Sequence, residues 1–135
     1  MNYWLMKSEP NEYSWQQLQK DGKTFWFGIR NYRARNNLRL MQIGDQAFFY
    51  HSNIGKEILG IMEITSLAYP DKTASDCKDW VGIDVIPKYQ LSKPVKLAAI
   101  KDNFQLANME LVKLQRLSVS AVTKPEFVEI LAMSN

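Results

Sequence analysis

Hydrophobic and polar positions along the 135-residue chain change period several times. Residues 2–7 set Tyr3, Leu5 and Lys7 opposite Trp4 and Met6, the two-residue period of a strand. Glu9-Pro10-Asn11 breaks that run. Ser14 then reads as a helix N-cap, with Gln17 three residues on and Tyr13 and Leu18 spaced as a hydrophobic staple. This short helix ends near Asp21-Gly22. Over 31–41 a second helix is predicted: Ala34, Leu38 and Met41 share an apolar face, and Asn31, Arg35 and Arg39 recur every four residues along another. Beyond the turn at Gly44-Asp45, residues 46–52 and 57–67 are predicted strands joined through Asn53-Ile54-Gly55. Both are apolar at nearly every position, as strands are when a small barrel is covered by helices.

Residues 80–86 (WVGIDVI) read as another strand, and 87–97 continue extended, with Pro94 limiting any helix. Residues 98–113 divide between a short helix and a loop, and Ser118 to Val122 alternates like a strand. Thr123-x-x-Glu126, with Pro125 in the first turn, is a capping box that opens a last helix to about Met133. There is no internal repeat, low-complexity run or linker, so residues 1–135 are expected to form one domain. The fold class is α/β: a mixed, mostly antiparallel β-barrel with peripheral helices. Strand order does not follow from the pattern.

Composition places the chain among globular proteins, with 46% hydrophobic and 23% charged residues, and its length can bury a core without staples. The single cysteine, Cys77, sits in the polar loop 73–79, excludes a disulfide framework within the chain and fits a reducing compartment. The start shows no basic segment followed by an apolar run, and no stretch of about 18 apolar residues occurs. The expectation is a chain complete as it stands, cytoplasmic or nucleoplasmic, with no membrane partner.

The net charge of +3 says little until its distribution is read. Four of the five arginines, Arg30, Arg33, Arg35 and Arg39, fall within ten residues, and no acid lies between residues 22 and 44. A solvated helix face normally mixes signs, whereas a phosphate-binding surface gathers guanidinium groups. A helix here would lay Arg30, Arg35 and Arg39 along a phosphate backbone and offer Asn31, Asn36 and Asn37 to base edges or sugar hydroxyls. Arg30 has a structural alternative, a bridge from the barrel wall to a carboxylate such as Glu9.

Phe25-Trp26-Phe27 runs into the Gly28-Ile29-Arg30 turn. An indole beside guanidinium groups suits stacking on an extruded base, worth about 1–3 kcal/mol; the plainer alternative is a plug at the barrel end. Trp4 and Trp80 are expected in the core, and Trp15 packs the short helix on the barrel. Lys7-Ser8-Glu9-Pro10 closes the first strand and leaves backbone groups free for a ligand, with a plain strand exit as the alternative. His51 is the only histidine, which disfavours a zinc site. A nucleophilic device would need it to act on the adjacent Ser52 or on Cys77. No nucleophile elbow, P-loop, GxGxxG or HExxH occurs. The chain is therefore expected not to be an enzyme, with no catalytic residue, metal or cofactor. Glu9 with Glu12, and Asp71 with Asp76 and Asp79, read as solvated charge because Lys72 and Lys78 are interspersed and no metal-loop spacing appears.

Several segments together resemble one family. They are YWLMKSEP (3–10), Tyr13-Ser14, Trp26-x-Gly28-Ile29-Arg30-Asn31, Ala34-Arg35-Asn36-Asn37-Leu38, Gly44-Asp45, FFYHS (48–52), Ala68-Tyr69-Pro70-Asp71, Pro94-Val95 and RLSV (116–119). In this order, over nearly the whole chain, they resemble the EVE domain. The resemblance implies a PUA-like fold related to YTH, ASCH and PUA domains, and a reader of modified bases, modified cytosine in DNA for some members. It places the base pocket at Lys7, Ser8, Trp26, Ile29, Arg30, Asn31, Tyr50, His51 and Ser52, with Tyr50 or Tyr69 as a second ring. Arg33, Arg35 and Arg39 would contact phosphate outside it. The expected partner is DNA or RNA carrying a modified base, bound by a monomer or weak dimer. A small-molecule or nucleotide sensor ranks second, and an enzyme on nucleic acid using His51 or Glu9 third.

Overall fold

A computed structural model describes residues 1–76 and 78–135, so Cys77 and the loop reading given to it lie outside the described residues. Strand β1 (Tyr3–Ser8) leads through helix α1 (Trp15–Asp21) to a short strand β2 (Thr24–Trp26) and helix α2 (Tyr32–Leu40). Strands β3 (Gln46–His51) and β4 (Glu57–Ile64) form the expected hairpin, followed by β5 (Tyr69–Pro70) and the long β6 (Val81–Lys96). Helix α3 (Leu97–Asp102), a 3-10 turn over Phe104–Leu106, helix α4 (Glu110–Lys113), strand β7 (Val119–Val122) and helix α5 (Lys124–Met133) complete the chain.

The strands make one curled sheet in the order β2-β6-β4-β3-β1-β7, with β5 on the side of β6. Strands β1 and β3 are parallel, from Tyr3 opposite Gln46 to Ser8 opposite His51; every other pair is antiparallel. The sheet is covered on both faces, and alternate residues feed two cores. Trp4, Met6, Ala47 and Phe49 join α1 and α2 in one, through Trp15, Leu18, Ala34 and Leu38. Leu5, Phe48 and Tyr50 join the C-terminal helices in the other, through Ile100, Leu111, Phe127 and Ile130. This is why residues 4–6 of β1 and 47–50 of β3 run without a charged or amide side chain.

The helix starts follow the caps read from sequence. Ser14 accepts from the Gln17 amide, and Thr123 with Glu126 forms the full capping box. The 80–86 and 87–97 segments are one strand: Pro87 stands opposite Met62, where the β4–β6 register shifts, so its missing N–H falls at an irregularity. Strand β4 stops at Ile64 rather than residue 67. Among the described residues no helix is long and apolar enough to cross a membrane.

Candidate nucleic-acid interface

Strand β1 ends at Ser8, and β2 ends at Trp26, just ahead of a turn at Gly28. A cavity of about 770 Å³ opens between these ends and the 115–118 segment, within the range of about 300–1,000 Å³ typical of small-ligand sites. Lys7, Ser8, Trp26, Ile29, Arg30, Asn31 and Ser52 line it, as do Phe25, Phe27, Gly28, Glu9 and Glu12. Gln115, Arg116 and Ser118 close another side.

The turn after Trp26 is shaped by Gly28, whose φ of +83° is open to glycine but strained for other residues. It is pinned by Asp71. One carboxylate oxygen of Asp71 accepts from the Gly28 amide at 2.8 Å and from the Arg30 guanidinium at 3.0 Å. The other accepts from the Thr73 amide at 2.9 Å and the Thr73 hydroxyl at 2.6 Å. Burial alone would push this carboxyl up, but the four bonds to its charged form hold it down at about 2. Arg30 therefore bridges to Asp71 rather than to Glu9. Asp71 is buried, not solvated. It lies 43 residues from Gly28 in sequence, so no local pattern points to the pairing.

Lys7, like Arg116, is a cation of the cavity with no ion pair among the described residues: its ammonium donates to the Gln115 carbonyl at 2.8 Å and lies 5.7 Å from the Tyr50 ring centre. Burial lowers its pKa. Ser8 donates its hydroxyl proton to the Tyr13 carbonyl at 2.6 Å, which leaves its oxygen as an acceptor. Asn31 is the N-cap of α2, its carbonyl oxygen accepting from the Ala34 amide at 2.9 Å. Its amide NH2 is left to donate into the cavity. Trp26 is a wall rather than a free platform, 7% exposed and edge-on to Phe49 at 5.5 Å. Phe27, 57% exposed, is the open ring at the rim.

Other site residues read from sequence lie elsewhere. Tyr50 is buried in the second core. His51 is also buried, and its Nε2 accepts from the Trp15 backbone N–H at 3.1 Å, so it caps the start of α1. Neither lines the cavity, because both belong to a strand covered on both faces. Tyr69 stacks on Phe25 at 4.6 Å and donates to Asp84, outside the cavity. Trp80 is buried as expected but belongs to neither of the two clusters: it stacks on Tyr32 at 5.2 Å, with Arg30 and Arg35 5.8 and 5.6 Å from its ring centre. The arginine row is tied down as well. Arg33 pairs with Glu110 at 2.9 Å, while Arg35 and Arg39 donate to the Lys78 and Asp79 carbonyls, each at 3.2 Å. Phe27, Glu9, Glu12 and Arg116 join the cavity without having been singled out for it. The RLSV segment was the one sequence signal for that last wall. Among the described residues no group of three His, Cys, Asp or Glu side chains could hold a metal.

A curled mixed sheet with helices on both faces and a cavity at its strand ends defines the PUA-like class of domain. An ASCH protein of Zymomonas mobilis shares the fold with a TM-score of 0.63 at 12% identity. The chain belongs to the EVE domain family, whose model matches residues 2–133. It is 38% identical to thymocyte nuclear protein 1 of Gallus gallus over 97% of this chain and 68% of that protein. A crystal structure of an Agrobacterium tumefaciens protein, 44% identical, superposes with a TM-score of 0.97 over 100% of this chain and 94% of that one. The crystal structure of human THYN1 in complex with 5-methylcytosine-containing DNA is 34% identical, with a TM-score of 0.95 over 100% and 98% of the two chains.

Proposed function

We propose that this protein reads a modified base, methylated cytosine in DNA, by holding it in the cavity between the ends of β1 and β2. The observation that carries the reading is the cavity itself: aromatic walls, one unpaired ammonium and one uncommitted amide converge in a volume suited to a single nucleotide. The superposition of the whole chain on a homologue bound to 5-methylcytosine DNA supports the same reading. Lys7 and the Asn31 amide are donors for the base carbonyl and ring nitrogen. The Glu9 and Glu12 carboxylates are the acceptors available for the exocyclic amine of cytosine. Phe25, Trp26 and Phe27 offer apolar surface to the ring and its methyl group. The base has to leave its stack to enter. No step of chemistry on the base is part of the proposal, since His51 already accepts from the Trp15 amide.

The test is binding to matched oligonucleotides, single- and double-stranded, plain and methylated at cytosine or adenine, followed by tryptophan fluorescence. Tenfold preference for methylcytosine, about 1.4 kcal/mol, is the expected result, and Trp26→Ala removes the preference as well as affinity. Equal loss on modified and plain strands in Trp26→Ala would sink the pocket reading.

A further inference from the structure

A second, shallower groove of about 420 Å³ lies beside the base cavity, between the start of α2 and the 113–117 segment. Asn31, Gln115 and Arg116 border both hollows, so the two are continuous. Three cations line the groove, Arg33, Lys113 and Arg116, and no carboxylate does. Arg33 is paired with Glu110, whose second oxygen is occupied by the Ala121 amide at 2.9 Å. Lys113 and Arg116 form no ion pair among the described residues. Two free cations in one groove repel each other, and an anion between them relieves that cost.

The row formed by Arg35 and Arg39 is differently placed. Both are bonded to the loop carbonyls of Lys78 and Asp79, and neither lines the cavity or the groove. A nucleotide joins its base to its phosphate through one sugar, so the anion site has to adjoin the base site. The groove meets that condition through three shared residues.

We infer that the phosphodiester flanking the captured base lies in this groove, held by Lys113 and Arg116 with Arg33, and not along Arg35 and Arg39. The inference rests on the base-reading proposal. The test is oligonucleotide binding, methylated and plain, across a series of salt concentrations. Arg116→Ala and Lys113→Ala are each expected to reduce the slope of log K against log salt by about 0.7 on single strands or about 0.9 on duplex. Both variants weaken methylated and plain strands by the same factor. Arg116→Lys keeps the slope, because the charge stays, and guards against a folding artefact. Arg39→Ala leaves it unchanged. A slope change in Arg39→Ala with none in Arg116→Ala or Lys113→Ala overturns the assignment. So does competition by free cytidine monophosphate as effective as that of the oligonucleotide, which would make the groove a small-anion site. Binding without preference for methylcytosine overturns the base reading alone, while the slopes still decide the groove. No binding of any strand overturns both.

Discussion

Asp71 accepts four hydrogen bonds with its two carboxylate oxygens, and two of them come from the turn that forms the cavity wall. Replacing it with Asn keeps the size but turns an NH2 group toward donors that need an acceptor. Asp71→Asn is expected to cost about 2 kcal/mol of stability, the scale of a hydrogen-bonded charge with partly exposed partners, and to weaken methylcytosine binding by loosening Gly28 and Arg30. Urea melts and the binding assay check the two effects separately. The acid dependence has a defined sign. The folded carboxyl sits at about 2, below its ordinary value of 3.8. Its contribution is therefore complete above about pH 5 and is lost progressively as the pH falls through about 2 to about 1. The gap between the unaltered protein and Asp71→Asn should close over that window; a gap that stays constant would mean that the charge contributes nothing. At this scale the sequence displays residue types but not their commitments. Arg30 and Asp71 are both visible, and only the fold brings them together across 41 residues.

Helix α1 has seven residues, too few to hold together in water by itself. It is docked by Trp15 and Leu18 and by the bond from the Trp15 amide to His51. Burial lowers the pKa of His51, with Glu57 opposing weakly, so the neutral imidazole belongs to the folded state. An unfolded chain takes up this proton near pH 6.5. The contribution of His51 is full above that pH and is lost on acidification below it. A denaturation midpoint that falls between pH 7.5 and 5 is expected, with a smaller fall in His51→Gln; an unchanged pH dependence in the variant would remove His51 from the account. The same helix explains Gly60. A Cβ built there runs into the Trp15 indole, so Gly60→Ala overpacks the contact between α1 and β4. The expected loss is about 1–3 kcal/mol, read as a lower melting point, and Trp15→Phe in the Gly60→Ala background should recover part of it. Elements with caps were legible: Ser14 and Thr123 start their helices where the sequence says. Strand β2 was not, because three residues, Thr24–Trp26, are too few to show a period.

Across the molecule, the two-sided sheet could be read from β3 and β4, whose apolar residues run without alternation because both faces are buried. The parallel pairing of β1 with β3 could not, since a two-residue period is the same in either direction. The site shows the same division. Lys7, Ser8, Trp26 and the 29–31 turn converge on the cavity, but Tyr50 and His51 stand behind it, opposite Lys7 and Ser8 in the sheet, and do not line it. The basic character of 30–39 was legible from charge spacing. Which of its guanidinium groups face a groove and which face loop carbonyls depends on a loop 40 or more residues away.

The place of β1 has one more consequence. The first strand of the chain lies between β3 and the last strand, β7, with Met6 opposite Val119 and Tyr3 opposite Val122. During synthesis β1 leaves the ribosome well before β7, and one of its edges stays bare until residues 119–122 have followed. Over that interval a nascent chain carries an exposed apolar strand, the kind of edge that invites pairing with the wrong chain. The wall made by residues 115–118 forms as β7 docks on β1, so the cavity closes only when that late segment is in place.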